Sequence, residues 1–133
     1  PAMTASGMFC RQLDLVPPTD PRMAEGAEYL GRHKFNNNPD YYYVYYATLA
    51  LYQHQGPVWK EWNDNLKDTF PRIQNKIGIN RGSWDPGGRH ANAGGRVVST
   101  TLSVLSLEVY YRLLPMYGFR GARDLPDAKK RGQ

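Results

Sequence analysis

The sequence predicts an all-α fold in which helices alternate between an inner and an outer layer. Three observations carry that expectation. Proline, Asp, Asn and Gly clusters sit where helices would begin or stop. Apolar residues between those clusters recur at spacings of three and four. Segments that are apolar nearly all round alternate with segments that are apolar on one side. A helix buried on most sides needs neighbours on both flanks, and a one-sided helix needs only one, so two layers satisfy both.

The first segment, 3–15, contains Met3, Ala5, Met8, Phe9, Leu13 and Leu15, and Pro17-Pro18 stops it. Asp20-Pro21 is a helix start, an N-cap acceptor followed by proline at the first helical position. From there 21–34 places Met23, Ala27 and Leu30 on one stripe, with Glu25, Glu28, Arg32 and Lys34 mostly off it. Asn36-Asn37-Asn38-Pro39-Asp40 is a turn cluster. Tyr41 to Gln55 is apolar or aromatic on nearly every face and long enough to be a buried helix rather than a strand. Gly56-Pro57 opens the next helix, a one-sided one carrying Trp59, Trp62, Leu66, Phe70 and Ile73, with Pro71 expected to kink or end it. Residues 75–96 hold six of the 13 glycines and read as a long connection. Val97 to Leu114 is again apolar almost all round. The order is buried, one-sided, buried, one-sided, buried, with weak internal similarity among the three buried helices.

The 133 residues, 41% hydrophobic and 22% charged, are enough for one domain with a modest core and exclude a disordered chain. Ten tyrosines predict a half-wet helical interface or an aromatic-lined cavity, because each ring packs as an apolar body while its hydroxyl seeks a partner. The net charge of +5 owes part to Lys129, Lys130 and Arg131. They lie in a polar, basic tail, 119–133, expected to be disordered. No basic stripe alternates with exposed aromatics elsewhere, so no nucleic-acid partner is expected. A single cysteine, Cys10, excludes an internal disulfide and a Cys-rich zinc site, and is expected as a small core residue. No apolar run approaches the ~18 residues that cross a bilayer, and the first residues lack the pattern of a secretory leader. The compartment stays open, with a soluble cytoplasmic segment as the default.

At this level the residues resemble a known family. Gln74 followed by Gly82-Ser83-Trp84-Asp85-Pro86 resembles the Gln-Trp repeat motif of squalene and hopene cyclases and their prenyltransferase and squalene-oxidase repeat relatives. The stretch Tyr41 to Leu51 looks like an inner helix of the poorly characterised bacterial members, as does Gly94-Gly95-Arg96-Val97-Val98-Ser99-Thr100-Thr101 leading into Leu107 to Tyr111. The resemblance implies an α/α-toroid fragment of five to six helices over residues 1–118, less than half of a full ring. Here seven residues separate Gln74 from Gly82, more than in the cyclases, which leaves open whether Gln74 bonds to the Trp84 turn. Within the turn, Trp84 would cover helix ends, Asp85 would accept from backbone amides, and Arg96 would pair with a carboxylate. The resemblance also implies a central cavity that Tyr41, Tyr42, Tyr45, Tyr46 and Tyr110 would line, or else the same rings would fill the space between layers.

Catalytic groups are not legible. The cyclases' acidic Asp-x-Asp-Asp cluster is missing, and Asp14, Asp20, Asp40, Asp64, Asp68 and Asp85 are scattered. His33, His54 and His90 lack metal-ligand spacing. Ser99, Ser103 and Ser106 are expected to bond their own helix backbone rather than to act as nucleophiles. No cofactor or metal is expected. The leading expectation is a non-catalytic repeat segment of a larger bacterial protein, a scaffold or part of a binding surface. The alternative is part of a terpenoid-cyclase-like enzyme with a triterpene or polyprenyl ligand and its acid elsewhere. The expected partner is the remainder of a longer chain, or a second copy meeting the flanking helices.

Overall fold

A computed structural model describes residues 1–88 and 91–116. The expected polar tail and His90 therefore lie outside the described residues. The fold is all-α: α1 (Ala2–Leu13), α2 (Pro21–Arg32), α3 (Tyr41–His54), α4 (Gly56–Ile73) and α5 (Ala91–Arg112). Local chemistry sets the boundaries. Asp20 caps α2, its carboxylate accepting from the Arg22 amide at 2.9 Å, with Pro21 in the first turn. Asp40 caps α3 through the Tyr43 amide. Between α3 and α4 the chain reverses on Gln55 and Gly56, both at positive φ (63° and 83°). This turn leaves almost no linker, so α4 must fold back along α3. Pro71 does not end α4, which runs two residues further. It sits in the last turn, where only one hydrogen bond is lost.

The helices form two layers. α3 packs against all four others, α1 and α5 lie on either side of it without touching each other, and α2 and α4 pack together behind. Only α3 is buried nearly all round. The alternation read from the sequence is corrected at both ends. α1 buries only Ala5, Met8 and Gln12, and α5 turns Val97, Val104 and Tyr111 to solvent, because among the described residues no helix packs on the outer flank of either. Cys10 is likewise exposed, on the outer part of α1, and is not a core residue.

The core is aromatic. Phe35, from the α2–α3 connection, meets Trp62 and Phe70 edge-on at 5.0 and 5.6 Å, and Tyr43 and Tyr41 meet the same two rings at 5.8 and 5.9 Å. Such edge-to-face pairs stabilise by about 0.5–1.5 kcal/mol each beyond burial. Two polar groups in this core were not picked out from the sequence. Thr48 accepts from the Trp62 indole at 2.9 Å and donates to the Val44 carbonyl at 2.7 Å. The Gln12 amide donates to the Ala50 carbonyl at 2.9 Å and fastens α1 to α3. The α5 face toward α3 is made of Ser99, Ser103 and Ser106, each donating to the carbonyl four residues back. These serines satisfy themselves, which lets two backbones approach without an unpaired buried hydroxyl.

Thr48→Val keeps the shape and removes the acceptor of the buried Trp62 indole. It is expected to lower unfolding free energy by about 1–3 kcal/mol, read from urea denaturation. Thr48→Ser, which retains the hydroxyl, should lose clearly less.

Candidate functional site

Two built features stand out, and the position of α3 creates the first. Because α1 and α5 flank α3 and do not meet, one stripe of α3 stays only half covered. It carries Tyr42, Tyr45 and Tyr46, one helical turn apart. The Tyr42 and Tyr46 ring centroids are 4.7 Å apart, and Tyr45 meets Tyr46 at 5.4 Å. Beside them a cleft of about 250 Å³ opens between α3 and α5, lined by Tyr45, Leu49, Leu105 and Val109. The Arg112–Glu108 pair, at 2.7 Å, stands at its edge. Ligand pockets for drug-sized molecules start at about 300 Å³, so this cleft accommodates a small ligand or a single side chain from a neighbour.

The other two expected cavity residues are placed elsewhere. Tyr41 is buried against Phe70, where burial and then the nearby Asp85 charge push its phenol up to about 12. Tyr110 turns toward the outer layer, meeting Tyr52 at 6.4 Å and lying under the Lys67 ammonium at 5.0 Å. Helix geometry explains both. Tyr41 stands on the side of α3 that faces α4, and Tyr110 on the side of α5 that faces α4. Burial, and then the Tyr42 phenol, also raise Tyr46 above its ordinary value. The stripe offers ring faces and hydroxyls to a ligand.

The second feature is the loop from Gln74 to Gly88. Gln74 does bond to the Trp84 turn: its side-chain amide donates to the Gly82 carbonyl at 2.9 Å. Paired backbone bonds, Asn75 N–H to Ser83 O at 2.9 Å and Gly82 N–H to Asn75 O at 2.8 Å, close the loop like a short hairpin, and this closure brings Gln74 back despite its longer spacing. Trp84 is buried, packs on Phe70, and donates its indole N–H to the Phe70 carbonyl at 2.9 Å, in the last turn of α4. Its backbone N–H donates to the Thr100 hydroxyl at 3.2 Å, tying the loop to α5.

Among the described residues Asp85 accepts from side chains, Asn75 at 3.0 Å and Arg96 at 2.5 Å, where backbone amides were expected. These two donors, Asn75 first, hold its carboxyl below the usual range. Arg96 also donates to the Ser83 hydroxyl at 3.1 Å. Gly95, at φ 57°, breaks the helical backbone just before Arg96 and aims the following run of α5 at this pair. At the far end Gly88 has φ 72°, and a Cβ there would come within 2.5 Å of the Asp40 backbone. That close approach locks the loop against the start of α3. The arrangement is a structural clamp, and Arg96, engaged twice, is not an open anion site.

The histidines are dispersed. His33 stacks on Tyr29 at 4.0 Å, and its Nδ1 lies 2.8 Å from the Tyr29 carbonyl. His54 is half-buried, and no described residue partners its Nδ1. Among the described residues no three His, Cys, Asp or Glu side chains converge as metal ligands. Compared with models of known families, with curated proteins and with solved structures, the chain gives no match.

Trp84→Ala is expected to cost about 3–5 kcal/mol, measured by urea denaturation. Trp84→Phe should cost only about 1 kcal/mol, because the Phe70 carbonyl still accepts from the Gln74 amide. His54 supplies a pH prediction. Burial lowers its pKa from 6.5, so the unfolded chain binds the proton more readily. Stability therefore falls as pH drops through about 6.5 and stops falling below the folded pKa. His54→Gln should flatten this part of a melting-temperature profile while leaving any loss below the carboxylate range.

Proposed function

We propose that this chain is a non-catalytic segment of an α/α-toroid, serving as a scaffold or as part of a binding surface. The observation that carries the reading is the arrangement of layers. α1, α3 and α5 form one layer, α2 and α4 the other, and helices alternate between them in chain order. The half-covered tyrosine stripe lies on the free side of the first layer, where a ring would have its interior. The Gln74–Trp84 clamp across the connection from α4 to α5 supports the same reading. No Asp-x-Asp-Asp cluster occurs anywhere in the sequence, which favours scaffold over cyclase. The second reading, part of a terpenoid-cyclase-like enzyme, draws its support from the apolar cleft beside Tyr45, which would be one wall of a larger cavity for an isoprenoid.

The layer also ends in apolar flanks. Val97 (76% exposed), Val104 and Tyr111 (77%) recur every seventh residue along one line of α5, and Met3 and Leu13 are exposed on α1. A seven-residue spacing keeps side chains on one face, as a helix–helix seam requires. In this reading a neighbouring helix of the same kind covers that face, supplied by a longer chain or by a second copy.

The test is solution mass by multi-angle light scattering across a concentration series. The chain is expected to associate as concentration rises. Val104→Glu should weaken that association about ten-fold or more, since burying one valine is worth roughly 1.5–3 kcal/mol. A folded chain that stays strictly monomeric at high concentration would count against the reading.

A further inference from the structure

The tip of the clamped loop is the surface left unexplained by the toroid reading. It runs Lys76-Ile77-Gly78-Ile79-Asn80-Arg81. Ile77 is 85% exposed and Ile79 fully so. Exposed aliphatic residues are common singly. Two on one short, well-braced tip are a different matter, because everything below them holds them out. Arg81 N–H donates to the Gly78 carbonyl at 3.2 Å and Ser83 N–H to the Asn80 carbonyl at 3.0 Å, so the tip is a hydrogen-bonded turn. Beneath it are the Asn75–Ser83 backbone pair, the Gln74 bond to Gly82, and the Asp85–Arg96 ion pair.

The charge on the tip itself is positive, and the carboxylate at its base, Asp85, is paired with Arg96. From Asn75 to Trp84 there are two cations, Lys76 and Arg81, and no acidic residue. The Lys76 ammonium is held at the end of α4, on the Pro71 carbonyl, which keeps it at the base of the tip. Arg81 is exposed. Branched aliphatics pointing outward, with cations set behind them, match a surface whose apolar interior lies beneath a sheet of anionic groups. A protein partner would be expected to meet an aromatic or arginine anchor set in a broader patch, and the tip has no ring.

We infer that the Ile77–Ile79 tip is a membrane-contact element that seats in the interface of an anionic lipid bilayer. The isoleucines enter the acyl boundary while Lys76 and Arg81 remain among the phosphates. Contact is reversible, since two side chains give only a shallow anchor. The inference does not depend on the toroid reading, and the tip is separate from the α5 flank.

The experiment is flotation of the full chain with phosphatidylcholine vesicles, with and without phosphatidylserine. Binding is expected to the phosphatidylserine vesicles and to weaken as salt screens the cations. Ile77→Asp with Ile79→Asp should reduce the bound fraction about ten-fold. Arg81→Glu should reduce it by a smaller factor. Both sites are exposed, so an unchanged urea midpoint will show that the fold is intact, and both variants retain residues 117–133, so that basic segment cannot account for a difference. Equal binding by wild type and the double isoleucine variant would overturn the inference, as would no preference for phosphatidylserine. If the double variant instead lowers the solution mass and leaves vesicle binding unchanged, the tip is a contact between copies and the inference fails.

Discussion

The rest of the structure depends on α3 having almost no side that tolerates water. Tyr43, Val44, Ala47, Thr48, Ala50, Leu51 and Tyr52 cover somewhat more than half of the circumference, Leu49 and Gln53 stand on the rest, and all are buried. One neighbouring helix cannot cover such a cylinder, and neither can two. With α1 and α5 on its flanks and α2 and α4 behind, only the line through Tyr42, Tyr45 and Tyr46 is left half open. Gln55 and Gly56 then oblige α4 to return along α3. The layers, the half-covered stripe and the bare outer flanks of α1 and α5 all follow from where a central apolar helix finds partners among the described helices.

The aromatic richness has a second cause besides burial. A helix leaves its last four carbonyls without intrahelical donors. Here aromatic side chains serve the C-terminal ends of three helices. The Tyr43 hydroxyl donates to the His33 carbonyl just past α2 at 2.6 Å, the Trp84 indole to Phe70 in α4, and the Tyr52 hydroxyl to Leu113 just past α5 at 2.6 Å. Each ring fills core space while its polar tip donates to a carbonyl at a helix end, the Phe70 carbonyl accepting from the Gln74 backbone amide as well. Phenylalanine would serve the first need and not the second. Gln53 does comparable work on the segment after α5, accepting from the Met116 amide at 2.7 Å.

Much of this was legible in the sequence, and the failures share a cause. The cluster Asn36 to Asp40 marked a turn without showing that Asp40 caps α3, while the helix start at Asp20-Pro21 was readable because capping is local chemistry among neighbours in the chain. The serines of α5 were readable for the same reason. What periodicity does not contain is the number of neighbours a helix will have. Cys10 and Val97 sit in apolar segments like any core residue, and they are exposed because, among the described residues, no helix packs on the outer faces of α1 and α5. Tyr41 and Tyr110 belong to runs indistinguishable in composition from Tyr45, and they separate only when α4 takes up its place. Gln74 shows the opposite limit. Its distance from Gly82 along the chain looked too long, yet the Asn75–Ser83 pairing folds the excess into a loop and returns it to bonding range.

That folded excess bears on why the loop is built as it is. A connection meant only to join α4 to α5 needs Trp84 to close the end of α4 and Arg96 to meet Asp85. It does not need residues 76–81, which contribute no buried side chain. Ordering backbone without burying anything is unfavourable by roughly 1–2 kcal/mol per residue, and the bonds at the base offset that for residues that fill no part of the core. A clamp that closes α4 and ties the loop to α5 also holds the tip in one place, where it can meet another surface. The exposed isoleucines with cations behind them define what that surface must offer: apolar depth under negative charge.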